Sequence, residues 1–236
     1  MEELKVIYED NHIIVVIKPQ NIPSQEDESK DKDLLTMVKD YIKVKENKPG
    51  NVYVGLVHRL DRPTGGVMVF AKTSKAASRL TQEIQEGNLT KNYLAVVNGK
   101  PREKRAKLVN FLQKNARTNT VMVVPELTTG AKRAELNYEV VEEKEKVSLV
   151  KVELITGRSH QIRVQMKHIG CPIYGDVRYG GDKLAKGHNL ALWSYELKLI
   201  HPTTKENMTF KVYPPEEIIP WNVFNLNNVK WKKTII

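Results

Sequence analysis

Residues 134–155 read AELNYEVVEEKEKVSLVKVELI. Two strand-like runs, Ala134–Val141 and Val147–Ile155, flank a charged stretch, Glu142–Lys146. Each run has the length and the β-branched, aromatic content of a strand, and the stretch between them is too short for a helical crossover, so the runs are predicted to pair antiparallel. Strands that follow one another as hairpins, without regular alternation with helices, argue for an α+β fold with a mixed, mostly antiparallel sheet and flanking helices.

Working outward, the same logic organises the chain. Val6–Tyr8 and Ile13–Ile17 form a predicted hairpin whose second strand is apolar throughout and therefore buried on both faces, and Lys18-Pro19 ends it. After a polar loop over Ser24–Lys32, the spacing of Leu34, Leu35, Val38, Tyr41 and Ile42 predicts an amphipathic helix, and Lys43–Asn51, with Pro49-Gly50, reads as loop. Ser74 is the predicted cap of a second helix carrying Ala77, Leu80 and Ile84 on one stripe and ending at Gly87. Tyr93–Val97 reads as a strand closing on Asn98-Gly99, a two-residue hairpin signal. Val121–Val124 is a further strand. Ser159 is the predicted cap of a third helix bearing Ile162, Met166 and Ile169, stopped by Gly170 and Pro172. A closing hairpin joins Leu197–Ile200 to Met208–Val212 through His201-Pro202-Thr203-Thr204. With no internal repeat or linker, residues 1–236 are expected to form a single catalytic-sized domain.

Composition narrows the function classes. With 236 residues, 40% of them apolar, the chain can bury a proper core. Its longest apolar runs, Ile13–Ile17 and Val67–Ala71, are too short to cross a bilayer, and Met1-Glu2-Glu3 lacks the basic start of a signal peptide, so a soluble cytoplasmic protein is expected. One cysteine, Cys171, excludes an internal disulfide and a multi-cysteine metal cage. A net charge of +10 favours a polyanionic partner through counterion release, although basic residues also serve simply as solvated surface. The cations gather in KPREKRAK over Lys100–Lys107, at Lys132-Arg133, and at Lys230-Trp231-Lys232-Lys233.

One loop has the makings of a reactive site. Residues 57–73 read VHRLDRPTGGVMVFAKT, with Asp61 between Arg59 and Arg62, just ahead of the apolar strand Val67–Ala71. A carboxylate on a loop between rigid elements, with two cations favouring its ionised form, is suited to act as a nucleophile or to stabilise a cationic sugar; the plain alternative is a salt-bridged loop aspartate. Competing chemistries fit less well. His58 and Asp61 flanked by arginines make a poor seat for a divalent cation. Ser159-His160 lacks the Gly-x-Ser-x-Gly elbow of a hydrolase, and the chain has no Walker loop or dinucleotide fingerprint.

HRLDRPTGG resembles the signature of the RluA-type RNA pseudouridine synthases, and the resemblance extends along the chain. YEDNHIIVVIKPQNIPS is similar to that family's opening hairpin and Lys-Pro turn, KNYLAVVNG and ITGRSHQIRVQMKHIGCPIYGDVRYG to its next two blocks, and LWSYELKLIHPTTKENMTFKVYPP to its closing hairpin. The resemblance implies an isomerase that detaches uracil from C1′ of a uridine in RNA, turns the base and rejoins it through C5. It places Asp61 on the catalytic aspartate, Arg158 on the arginine paired with it, and Tyr93 on an active-site tyrosine that stacks on uracil and can move a proton at C5. Arg59 falls where an arginine fills the space left by an everted base, Arg62 is a proposed neighbour tuning Asp61, and Lys104 and Arg105 are expected to contact RNA phosphates. No metal or organic cofactor is implied. The hairpin begins within a few residues of Met1, where many relatives carry an S4-like RNA-binding domain, so recognition is expected to rest on the catalytic domain, acting as a monomer without an obligatory protein partner on structured rRNA or tRNA. Two rival readings are a basic RNA-binding module without activity, and a hydrolase of nucleosides or sugars using the same carboxylate.

Overall fold

A computed structural model of the chain describes residues 4–180, 187–226 and 229. It divides into two compact units, Met1–Asn92 with Trp193–Val212 and Tyr93–Leu192 with Tyr213–Ile236. The basic cluster expected at 230–233 lies outside the described residues.

The first unit opens with the predicted hairpin, β1 (Lys5–Glu9) and β2 (Ile13–Lys18), whose turn is held by Asp10, its Oδ1 accepting from the amides of His12 and Ile13 at 2.7 Å each. Helix α1 (Leu34–Lys45) is capped by Asp33, which accepts from Thr36 N, and buries Leu34, Met37, Val38 and Ile42. It runs to Lys45, into the stretch expected to be loop from Lys43; Lys43 and Lys45 sit in the last turn, where cations complement the exposed carbonyl dipoles. β3 (Gly55–Leu56) and β4 (Gly65–Ala71) follow, then α2 (Ser74–Gln85). The cap of α2 is Thr73, whose Oγ1 accepts from Ala76 N at 3.1 Å, and not the predicted Ser74, which is the first helical residue.

The chain crosses into the second unit along β5 (Thr90–Asn98), continues through β6 (Arg105–Asn115), β7 (Thr120–Val124), β8 (Lys132–Glu143), β9 (Val147–Leu154) and α3 (Gln161–His168), and returns to the first for β10 (Leu192–Ile200) and β11 (Asn207–Lys211). In the first unit the strand order is β1-β2-β4-β10, with β11 on β10 and β3 on β4. All of these pairs are antiparallel except β4–β10, which is parallel and short. Ile13, Val15, Val67, Val69, Leu197 and Leu199 form one apolar face, on which α2 lays Ala76 and Leu80. β4 is buried along its whole length, as its unbroken apolar sequence demands.

In the second unit the order is β5-β9-β8-β6-β7. The hairpin read from residues 134–155 is present as β8–β9, with Tyr138 opposite Val152 and a bulge between Val140 and Glu142. Leu112, Val121, Ala134, Val164 and Tyr179 make a small core between the sheet and α3. Three expectations need correction. Asn98-Gly99 does not close a hairpin: Asn98 N donates to Pro172 O and Gly99 N to Lys146 O, both at 2.8 Å, so contacts distant in sequence take the amides and β5 neighbours β9 instead of β6. Ser159 does not cap α3; the residue ahead of the helix is His160, at φ 52°, with no side-chain cap. Lys100–Lys107 is not simply a basic run, because from Arg105 it is the start of the eleven-residue strand β6. Its first outward residues, Arg105 and Lys107, hid the strand behind charges that face solvent.

Candidate active site

In the first unit, Asp61 occupies a turn closed by Thr64 N donating to Asp61 O at 2.9 Å, and Gly65 then begins β4. Tertiary contact explains the two glycines. Gly65 and Gly66 lie opposite Trp193 and Ser194 in the parallel pairing, Gly66 has φ +121°, and a Cβ there would collide with the Ser194 backbone. The turn is anchored from the other side by Lys18, the last residue of β2. Its side chain is fully buried, and Nζ donates to Pro19 O (2.9 Å), Arg62 O (2.9 Å) and Thr64 O (2.8 Å). Burial pushes this amine down to about 7, and the negative charge of Asp61 pulls it upward. Three carbonyls match the three N–H groups of an ammonium, whereas a neutral amine would leave one unserved, so the geometry favours the charged form. Sequence reading took Lys18 only as a strand end; a lysine closing an apolar strand directly before proline was the available signal.

Arg62 does not turn to Asp61. Its guanidinium is engaged by Asp31, by Asp27 at 3.5 Å and by Ser29 Oγ at 2.8 Å, with Nε donating to Asn21 O at 3.2 Å. It ties the polar loop over 24–32 to the Asp61 turn. Arg59 is exposed and has no hydrogen bond or ion pair among the described residues. His58 faces inward: Nε2 accepts from Val69 N at 3.1 Å, Nδ1 is buried without a hydrogen-bond partner among the described residues, and burial, aided by the Lys91 charge, holds the ring down to about 3. It is a neutral structural histidine fixing the loop to β4. Lys91, the neighbouring cation, is itself pushed downward by burial.

In the second unit, Tyr93 is buried in β5. Arg158 is exposed: Nε donates to Arg133 O and its backbone N to Gln161 Oε1, both at 3.0 Å. The same sequence block holds another arginine that sequence reading passed over. Arg163, on the first turns of α3, is 5% exposed, grips Asp176 with Nε and Nη2 at 2.8 Å each, and lies 5.0 Å over the ring of Tyr179. An arginine beside Ile162 on a helix whose residues 161–166 are all buried was the clue to it. Lys104 and Arg105 are on the surface, each paired with a carboxylate, Lys104 with Glu143 and Arg105 with Glu139; Lys107 and Arg133 share Glu135. Among the described residues, no group of three His, Cys, Asp or Glu side chains is placed to hold a metal ion, and no helix is long and apolar enough to cross a membrane.

The architecture is that of pseudouridine synthase domains: human RNA pseudouridylate synthase domain containing 4 aligns over 89% of this chain and 88% of its own with a TM-score of 0.75, at 21% identity. The sequence matches the RNA pseudouridylate synthase family over residues 12–168. It is 32% identical over 206 residues to the uncharacterised RNA pseudouridine synthase YhcT of Bacillus subtilis (strain 168), covering 86% of this chain and 66% of that protein. It is 31% identical over 232 residues to the ribosomal large subunit pseudouridine synthase D of Haemophilus influenzae, covering 92% and 69%. The chain belongs to the RNA pseudouridylate synthase family, whose members are isomerases converting uridine to pseudouridine in RNA. It spans about two thirds of the length of these two curated relatives.

Proposed function

We propose that this protein isomerises uridine to pseudouridine within structured RNA, with Asp61 as the catalytic carboxylate. The observation that carries the reading is the mounting of Asp61: a turn whose flanking carbonyls are fixed by a buried lysine, at the head of a fully buried strand. A turn held in this way offers the carboxylate to substrate from a fixed backbone. It acts at the sugar, either by bonding to C1′ or by taking the 2′ proton, so that uracil leaves C1′. The base turns, C5 bonds to C1′, the C5 hydrogen departs and N1 gains one, so the reaction is an isomerisation with no oxidant or phosphate donor. Tyr93 offers a flat face to the base and a hydroxyl for the proton at C5. Arg59, exposed and unengaged among the described residues, fills the stack vacated by the everted uridine.

Arg158 is the guanidinium that the family resemblance assigns to Asp61. A second reading is favoured by burial: a charge serving an enclosed reaction is best shielded and fixed in advance, and Arg163 fits that description better than the exposed Arg158. The ribosomal name of the Haemophilus relative supports rRNA as the first target to try, and the basic surface, including Lys104 and Arg105, supplies phosphate contacts.

Asp61→Asn tests the central assignment. The variant is expected to keep its fold and RNA affinity and to release no tritium from RNA labelled at uridine C5; full release would remove Asp61 from the chemistry. Free uracil accumulating in place of pseudouridine with the unaltered protein would favour the hydrolase. Pseudouridine mapping of total RNA from cells with and without the protein identifies the target.

A further inference from the structure

Asp176 is 2% exposed, and its carboxylate is held as firmly as the arginine that it grips. Oδ2 accepts from Arg163 Nε and Oδ1 from Arg163 Nη2, while Oδ1 also accepts from the amides of Arg178 (3.1 Å) and Tyr179 (3.0 Å). Gly180 N closes the turn on Asp176 O at 2.7 Å. The carboxylate is thereby part of the 176–180 turn and cannot swing without unmaking it.

Tyr179 completes the mount. Its hydroxyl accepts from Val121 N at 2.8 Å and shares a second hydrogen bond, of 2.7 Å, with His160 Nδ1. The tyrosine ring carries Arg163 at 5.0 Å and Lys167 at 6.0 Å from its centre, and thus links α3, the 176–180 turn and β7.

We infer that Asp176 is a positioning residue, holding the Arg163 guanidinium in one orientation for the reaction. The side-on grip occupies the Nε–Nη2 edge, so the Nη1 donors are directed away from Asp176 along a fixed line. A buried guanidinium with a single rotamer loses nothing to rearrangement when charge develops on the substrate. This inference rests on the reading of Arg163 as the shielded cation of the site. If the pair were only a packing element, an apolar pair of similar volume would replace it without loss, as happens with many buried ion pairs.

The experiment uses the full chain, C5-tritiated total RNA from cells lacking the protein, single-turnover rates at saturating enzyme, and filter binding on the same RNA. Arg163→Lys and Asp176→Asn are each expected to slow the rate by about tenfold or more while changing the RNA Kd less than about threefold, and the double variant should be no slower than Arg163→Lys alone. Should Arg163→Lys keep the parent rate, the reading of Arg163 falls and the inference with it. A slow Arg163→Lys beside a full-rate Asp176→Asn, or effects that multiply in the double variant, overturns the positioning role alone. The paired exchange Arg163→Met with Asp176→Leu guards against loss of fold: it should give a folded, RNA-binding, slow protein, and a folded variant with full activity overturns the inference.

Discussion

Individual side chains in this protein act through what they anchor. Lys18 and His58 both lie inside the first unit and both hold the Asp61 turn, one by donating to carbonyls and the other by accepting from β4. His58 has a measurable signature. Its native ring is held near 3 against an ordinary value of 6.5, so between those values the unfolded chain binds a proton that the native chain refuses, and stability is complete above pH 6.5 and lost as pH falls toward 3. Urea unfolding from pH 7 down to pH 4 should show a slope that His58→Gln flattens, by at most about 1.4 kcal/mol per pH unit; parallel curves for the two proteins would deny the histidine its part. Arg59 has a different kind of test. If it fills a vacated stack, Arg59→Ala should slow turnover of a hairpin substrate by roughly tenfold more than that of an unstructured oligonucleotide containing the same uridine, because eversion costs a few kcal/mol only in the hairpin. Equal losses on both would reduce Arg59 to a phosphate contact. Tyr93, Arg59 and Asp61 stood out in the sequence by motif; Arg163 and Lys18 did not, because a buried charge is written in the same letters as a solvated one and is recognised only from what surrounds it.

At the level of elements, apolar periodicity was a sound guide wherever burial is one-sided or complete. α2 shows this: Leu80 is fully buried in the first unit's core, and Leu80→Ala should cost about 2–5 kcal/mol in denaturant unfolding, with little change in RNA affinity for the fraction that remains folded. Gly66 carries a backbone constraint that no pattern announces. Gly66→Ala combines a left-handed backbone with a collision against Ser194, and should destabilise the chain by about 2 kcal/mol or more and lower activity through the Asp61 turn. A variant as stable as the parent would mean that β4 and β10 can part there at no cost. Elements were misread where long-range partners override local signals. Asn98-Gly99 has the residues of a tight hairpin, but its amides are taken by Pro172 and Lys146, and β6 carries so many outward charges that its alternation resembles a solvated run. Caps shifted for a smaller reason: Thr73 and Ser74 both offer hydroxyls, and one residue of helix phase decides which of them bonds.

Across the whole molecule, a net charge of +10 gave a sound reason to consider a polyanion but a poor map of where it binds. Lys104 and Arg105 stand in the most basic stretch of the sequence, yet each faces a glutamate across the sheet. Replacing both by alanine is therefore expected to lower the slope of log affinity against log salt by less than the nearly two units that two unpaired phosphate contacts would give. A full two-unit fall in filter-binding titrations would show that the glutamates yield to phosphate. By itself the sequence determined the fold class, the order and type of most elements, the family and the loop bearing Asp61, because apolar period, turn chemistry and a signature motif are local and need no partner to be read. Only the tertiary structure decided which charges are buried, which are neutralised, and what holds the Asp61 turn. Those outcomes depend on which residues distant in sequence come to share a low-dielectric interior, and that proximity is a property of the folded chain.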